Sequence, residues 1–136
     1  MIRNTPDPNA RLQPPPAQRA AVCVLIVEDD ALAAEALQMS LEDAGYGTVA
    51  PADSVATALR TIERHEVDAA LLDIHLGSEL VYPVADELAS RGVPFVFVTS
   101  YRRADIPARH RDRPLVAKPF HDHEVLNGLA DALDPD

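Results

Sequence analysis

Acidic, hydroxyl and ammonium side chains follow four apolar segments of this chain, each at the point where the apolar run stops. Glu28 and Asp29 follow the first segment, Asp73 ends a second, Thr99 follows a third and Lys118 a fourth. Clustered carboxylates repel one another, and Mg²⁺, which prefers oxygen ligands, relieves that repulsion. A carboxylate can also attack phosphorus, with a hydroxyl and an ammonium group stabilising the transferred charge. Together these residue types predict magnesium-dependent phosphoryl transfer.

The elements that must position these residues follow from the pattern of apolar residues. Apolar runs alternate with stretches of helical periodicity, which indicates βα units around a parallel sheet. We predict strands over residues 22–27, 48–50, 67–73, 95–98 and 114–117. We predict helices over residues 31–44, 54–65, 81–90 and 122–133. Because sites in such sheets form beyond the carboxyl ends of the strands, the five residues should meet at one edge.

Polar residues at helix starts, and a proline between the last two predicted strands, refine this pattern. Asp30 is a predicted N-cap of the first helix, and Asp53 or Ser54 of the second. The first helix is expected to gather its apolar side chains on one side, namely Leu32, Ala36, Met39 and Leu41. Pro107 interrupts the segment of residues 100–113, so we predict at most a short or fraying helix there.

Composition bounds the class of protein and its partners. Residues 1–20 hold five prolines and little apolar periodicity, so we predict a disordered tail there and one folded domain over residues 21–134. A net charge of −10 disfavours nucleic acid or an anionic membrane as partner. The single cysteine forms no internal disulfide, and no apolar run of about 18 residues exists. We expect a cytoplasmic monomer without an attached output domain.

Four motifs at the predicted strand ends resemble the response-regulator receiver domain. They are VLIVEDD at residues 24–30, LLDI at 71–74, VTS at 98–100 and KPF at 118–120. The resemblance spans residues 22–133, with each motif in order and at a strand end. It implies a flavodoxin-like (βα)₅ fold, an α/β architecture with a doubly wound parallel sheet of strand order 2-1-3-4-5. It also implies a phosphoprotein of a two-component signalling system rather than an enzyme acting on a separate substrate.

The resemblance implies a metal site and a phosphoryl acceptor. Asp73 is the residue that matches the acceptor of a phosphoryl group from a sensor histidine kinase. Glu28 and Asp29 match the acidic pair that holds Mg²⁺, with Asp29 as the direct ligand together with Asp73. His75 matches the position whose backbone carbonyl binds the metal, while its side chain is expected to face solvent.

The resemblance also implies how the phosphoryl group is held and sensed. Thr99 matches the signalling hydroxyl, and Lys118 matches the lysine that pairs with the phosphoryl group. The Lys118–Pro119 bond is cis in this family. Receivers usually carry an aromatic switch residue three positions before the lysine, but Leu115 stands there. We hypothesise that Tyr101 replaces it.

A narrower resemblance concerns the alphaproteobacterial receivers with a Phe-Ala-Thr-Gly-Tyr motif. It rests on PFVFVTSY at residues 94–101 and VYPVAD at 81–86, although Val98 and Ser100 stand where the motif has Ala and Gly. That group implies a stand-alone receiver that works with HWE-type kinases and has a short or mobile fourth helix. Such a protein acts by binding a downstream partner or by draining phosphoryl groups from a kinase.

Several alternatives stay open at this point. A pseudo-receiver would keep the fold as a protein-binding module without phosphotransfer. A phosphatase of the haloacid-dehalogenase type would need a second aspartate two residues after Asp73, where His75 stands. The arginine-rich segment of residues 102–113 is either a solvated loop or a surface for an acidic partner. The other histidines are predicted to lie on the surface: His65, His110, His121 and His123.

Overall fold

Strands and helices alternate along residues 13–134, the part of the chain that the computed structural model describes. The strands are β1 (Cys23–Val27), β2 (Gly47–Thr48), β3 (Ala69–Leu72), β4 (His75–Leu76), β5 (Glu79–Leu80), β6 (Phe95–Thr99) and β7 (Leu115–Ala117). The helices are α1 (Pro16–Ala21), α2 (Ala31–Asp43), α3 (Val55–Arg64), α4 (Tyr82–Ser90) and α5 (Asp122–Leu133).

Five of the strands form one parallel sheet. Their order is β2-β1-β3-β6-β7, which is 2-1-3-4-5 when these five strands alone are numbered. The predicted flavodoxin-like fold with a doubly wound parallel sheet is therefore confirmed. In β1 the residues from Val24 to Val27 are fully buried because helices cover both faces, as a continuous apolar run indicates. The remaining strands, β4 and β5, form a separate antiparallel hairpin that the sequence did not predict.

The apolar side chains pack into two clusters, one on each face of the sheet. The cluster beneath α3 and α4 includes Leu25, Leu72, Phe97, Ile62 and Leu88. The cluster beneath α2 and α5 includes Ile26, Leu71, Val98, Leu41 and Leu129. These clusters fix the strands, and with them the positions of the residues at the strand ends.

The predicted helix caps are confirmed, whereas the predicted buried side of α2 is wrong in part. The Asp30 carboxylate accepts the N–H groups of the second and third residues of α2, and Ser54 caps α3. Leu32 is 79% exposed and Met39 55% exposed. The helix instead buries Ala34, Leu37, Ser40 and Leu41, whose spacing of three and four residues forms one stripe. Leu32 and Met39 lie on a neighbouring stripe that faces outward.

Residues 13–21 differ from the disordered tail expected for residues 1–20. Helix α1 begins at Pro16, where a missing N–H costs nothing at the first turn of a helix. The Gln13 side chain donates to the carbonyl of Leu126 in α5 at 2.8 Å and accepts from the Tyr46 hydroxyl at 2.5 Å. These contacts tie the start of the described chain to α5 and to the connection between α2 and β2. Residues 1–12 of the expected tail lie outside the described residues.

The segment between β6 and β7 contains two 3₁₀ turns, Arg103–Asp105 and Ala108–His110, instead of an α-helix. This agrees with the short element predicted there. Without a helix, several carbonyl groups of the segment are bonded by arginine side chains. Arg103 Nη1 donates to the carbonyls of Arg111 and Arg113 at 2.6 and 2.8 Å. Arg111 itself donates twice to the carbonyl of Ile106, so these arginines stabilise the segment.

Candidate functional site

Three carboxylates meet at the carboxyl edge of the sheet. Glu28, Asp29 and Asp73 each place an oxygen within 4.8 Å of the oxygens of the other two. Backbone hydrogen bonds fix two of them, because the Glu28 N–H donates to Ala52 and the Asp73 N–H donates to Val27. The structure therefore brings together the acids that the sequence placed at two different strand ends.

Lys118 joins two of these acids. Its Nζ donates to Asp73 Oδ2 at 2.8 Å and also to Glu28 Oε1. The Glu28 side chain is only 1% exposed and that of Asp73 11% exposed. The Lys118–Pro119 peptide bond is cis, as the resemblance implied. The ammonium group is thus held against the expected phosphoryl acceptor.

Burial and hydrogen bonding change the pKa values of Glu28 and Lys118. Burial raises the pKa of Glu28 to about 7, against the lowering effect of hydrogen bonds from Lys118 and the Asp30 N–H. Burial alone would lower the pKa of Lys118, but its hydrogen bonds to Asp73 and Glu28 outweigh burial and raise that pKa. One ammonium group thus faces three carboxylates, and a hard divalent cation would relieve the remaining repulsion.

The β4–β5 hairpin borders the acidic site. The N–H of Gly77, at the hairpin turn, donates to Asp29 Oδ2 at 2.8 Å. The His75 N–H makes a long contact of 3.4 Å with Asp73 Oδ1. The His75 side chain is exposed, as expected. The hairpin therefore contacts two of the three carboxylates through its backbone.

Thr99 and Tyr101 lie next to each other at the end of β6. Thr99 is 1% exposed, and its hydroxyl accepts the N–H of Tyr101 at 3.2 Å. The ring of half-buried Tyr101 lies 5.8 Å from the ring of His75. Leu115, at the usual switch position, packs against the same apolar cluster as Tyr101. Tyr101 thus contacts Thr99 through its backbone N–H and lies near His75 through its ring.

His110 was predicted to lie on the surface, and this prediction is wrong. His110 is 3% exposed, and its Nε2 lies 2.7 Å from Asp86 Oδ1. The Asp86 carboxylate also accepts two hydrogen bonds from Arg109, at 2.8 and 3.1 Å. The His110 ring is stacked near Tyr82 and meets Phe95 edge-on. Because Asp86 stands 24 positions earlier, no local pattern in the sequence announced this contact.

The other predicted surface histidines, His65, His121 and His123, are exposed. His121 precedes α5, and its N–H donates to the Glu124 carboxylate at 2.8 Å.

Comparison with known proteins decides the family. A family model described as the response regulator receiver domain matches residues 24–129. The chain belongs to the response regulator receiver domain family. Receiver domains are signalling proteins of two-component systems, and an acidic pocket that binds Mg²⁺ is typical of them. The phosphatase alternative is set aside by this membership.

Relatives of this receiver domain include solved and curated proteins. The solution structure of SdrG from Sphingomonas melonis Fr1 is 43% identical, covers 84% of this chain and 94% of SdrG, and has a TM-score of 0.69. PdtaR of Mycobacterium tuberculosis, a transcriptional regulatory protein, is 33% identical over 110 residues. LytT of Enterococcus faecalis, a sensory transduction protein, is 34% identical over 113 residues.

The extent of these matches differs between the relatives. The PdtaR match covers 78% of this chain and 54% of PdtaR, and the LytT match covers 80% and 47%. The receiver thus spans about half the length of the curated relatives that it matches. Within residues 13–134, no helix combines the length and the apolar character needed to cross a bilayer.

Proposed function

We propose that this receiver accepts a phosphoryl group from a sensor histidine kinase on Asp73. The observation that carries the proposal is the contact of Lys118 Nζ with Asp73 Oδ2 at 2.8 Å, beside Glu28 and Asp29. A nucleophile, an ammonium group and a cluster of oxygen ligands at one sheet edge are the parts that phosphoryl transfer to a carboxylate needs. Two-component family membership supplies the class of donor.

The donor set of the acidic site fits Mg²⁺. Glu28, Asp29 and Asp73 offer only carboxylate oxygens, the ligands that this hard cation prefers. We propose Asp29 and Asp73 as direct ligands together with the backbone carbonyl of His75, and Glu28 as the buried acid beside them. When bound, the ion would neutralise the carboxylates and polarise the oxygens of an incoming phosphoryl group.

The residues then act as follows during transfer. A carboxylate oxygen of Asp73 attacks phosphorus, the new O–P bond forms, and the N–P bond of the donor phosphohistidine breaks with its electron pair left on the imidazole. The Lys118 ammonium group exchanges its bond to Asp73 for a bond to a phosphoryl oxygen. The Thr99 hydroxyl donates to another of these oxygens.

Loss of the phosphoryl group regenerates the starting state. A water oxygen attacks phosphorus, the bond to the Asp73 oxygen breaks, and inorganic phosphate and a proton leave. His75 stands two residues after Asp73, and its ring lies 5.8 Å from the ring of Tyr101. We propose that they influence the access of this water. The lifetime of the acyl phosphate then separates a phosphate sink, with a short lifetime, from a partner-binding switch.

The likeness to SdrG supports activation of this receiver by a phosphoryl group. SdrG has also been solved in a BeF3-activated conformation, and that structure is 43% identical to this chain. We propose an HWE-type kinase as the donor and Tyr101 as the switch residue. Its cytoplasmic location, its monomeric state and a folded domain from residue 21 to residue 134 stay predictions.

The test is the intact mass of the protein after incubation with Mg²⁺ and acetyl phosphate. We expect wild type to gain one phosphoryl group and Asp73→Asn to gain none. A chelator should abolish the gain in wild type. If wild type gains nothing from this donor or from an HWE-type kinase while still binding Mg²⁺, the chain is a pseudo-receiver that serves as a protein-binding module.

A further inference from the structure

We propose that the β4–β5 hairpin sets the geometry of the metal site, with Gly77 as the positioning residue. This inference rests on the proposed function, because it concerns the same acidic site. The hairpin begins at His75, whose carbonyl is one proposed ligand, and its turn holds Asp29, another proposed ligand. One six-residue element therefore controls two ligands that are 46 positions apart in the sequence.

The contact between Gly77 and Asp29 fixes an otherwise unrestrained carboxylate. Asp29 is exposed, so packing does not select its side-chain rotamer. The Gly77 N–H donates to Asp29 Oδ2 at 2.8 Å. A hydrogen bond to one carboxylate oxygen orients the other, and such outer contacts commonly tune the affinity of a metal site.

Three contacts besides the bond from Gly77 to Asp29 hold the hairpin in place. Leu76 is 3% exposed and anchors the first strand in the core. The Glu79 carboxylate accepts the N–H of Val55 at the first residue of α3, at 3.3 Å. The N–H of Val81 donates to the carbonyl of Ile74 at 2.9 Å and closes the base.

Glycine is needed at the turn itself. Gly77 has a φ of 60°, a left-handed conformation that two-residue hairpin turns require and that other residues adopt at a cost. A Cβ atom at this position would lie 3.9 Å from Asp29 Oδ2. A side chain at residue 77 would therefore strain the turn beside the carboxylate that the turn positions.

A matched pair of glycine substitutions tests the effect on metal affinity. Gly92 also has a positive φ, 70°, but a Cβ atom there would meet nothing within 4 Å. An alanine in the left-handed region costs roughly 1–2 kcal/mol. Because the turn relieves this strain by leaving the position in which it holds Asp29, Gly77→Ala should weaken Mg²⁺ binding about fivefold or more. Gly92→Ala should lower the melting temperature comparably but leave the Mg²⁺ affinity at the wild-type value. Equal Mg²⁺ affinities for Gly77→Ala and wild type would overturn the inference.

A second measurement needs no metal. In the metal-free protein, the Gly77 amide should exchange its hydrogen slowly, and Asp29→Ala should accelerate that exchange. The Gly92 amide, which donates to Ala89 at 3.1 Å, should exchange at the same rate in both proteins. An unchanged rate at Gly77 would show that Asp29 is not bound by the hairpin and would contradict the inference.

These outcomes separate the inference from the proposed function. If wild type takes up phosphoryl groups with Mg²⁺ but Gly77→Ala binds Mg²⁺ equally well, only the role of Gly77 is lost. If wild type binds no Mg²⁺, the proposed metal site fails and the positioning role fails with it.

Discussion

Lys118 Nζ donates to Asp73 Oδ2 at 2.8 Å and simultaneously to Glu28, so one ammonium group bridges the expected acceptor and its buried neighbour. In the unphosphorylated protein this contact offsets repulsion between the acids. After transfer, the same group would be within reach of a phosphoryl oxygen. Lys118 is therefore expected to affect metal affinity and transfer rate in opposite directions.

Lys118→Gln should slow phosphoryl uptake from a small donor about tenfold or more, because a hydrogen bond from a charged donor contributes about 1.5–3 kcal/mol. The same variant should bind Mg²⁺ more tightly, since no ammonium group competes for the carboxylates. Uptake is measured by intact mass over time, and affinity by titration calorimetry. Lys118→Arg, which keeps the charge, should retain more of the rate than Lys118→Gln.

The Tyr101 ring should change its environment when Asp73 carries a phosphoryl mimic. Tyr101 donates its N–H to Thr99, so movement of Thr99 toward the mimic should shift the ring away from His75. Chemical shifts of the Tyr101 ring, recorded with and without Mg²⁺ and beryllofluoride, measure this change. Tyr46, 3% exposed and packed beneath α2 and α5, is the internal control. Identical Tyr101 shifts in both states would rule out a switch role for this residue.

His110→Ala should destabilise the fold by about 2–4 kcal/mol, since it removes a buried ring packed among other aromatic rings. Denaturant unfolding of the variant and of wild type gives the difference in free energy. His65→Ala is the matched control, because His65 is exposed and should change stability very little. A loss as small as that of His65→Ala would mean that His110 is not buried in solution.

The contacts of Asp86 with Arg109 and His110 should make the free energy of unfolding depend on pH in the acidic range. Hydrogen bonds from Arg109, and then from His110, outweigh the effect of burial and hold the pKa of the Asp86 carboxyl below its usual value of 3.8. A lowered folded-state pKa contributes stability that is present above the ordinary value and is lost as the pH falls through the folded one. The difference in unfolding free energy between wild type and Asp86→Asn should therefore shrink as the pH falls below about 5. A difference that stays constant as the pH falls would contradict the ion pair between Asp86 and Arg109.

The sequence predicted the residues that stand at the ends of strands better than those on connections. Asp73 and Lys118 were predictable because a parallel sheet brings the ends of its strands to one edge, whatever the loops do. Asp30 and Ser54 were predictable because capping is a local interaction. Their partners lie within three residues along the chain.

Features that depend on distant partners escaped prediction. His110 is buried because Asp86 and the aromatic rings of other elements surround it, and nothing near His110 in the sequence reveals them. The hairpin at residues 75–80 has strands of only two residues, too short for a period to be recognised. For Leu32 the apolar type suggested burial, but the neighbouring stripe of Ala34, Leu37, Ser40 and Leu41 is the side of the helix that is buried.

The most direct test of the central claim is transfer from a purified HWE-type histidine kinase that carries a radiolabelled phosphohistidine. With Mg²⁺ present, we predict that label leaves the kinase and appears on the wild-type receiver as a base-labile acyl phosphate. Asp73→Asn should acquire no label, and the kinase should then keep its own. Label that appears equally on Asp73→Asn, or that never leaves the kinase in the presence of wild type that binds Mg²⁺, would contradict the account.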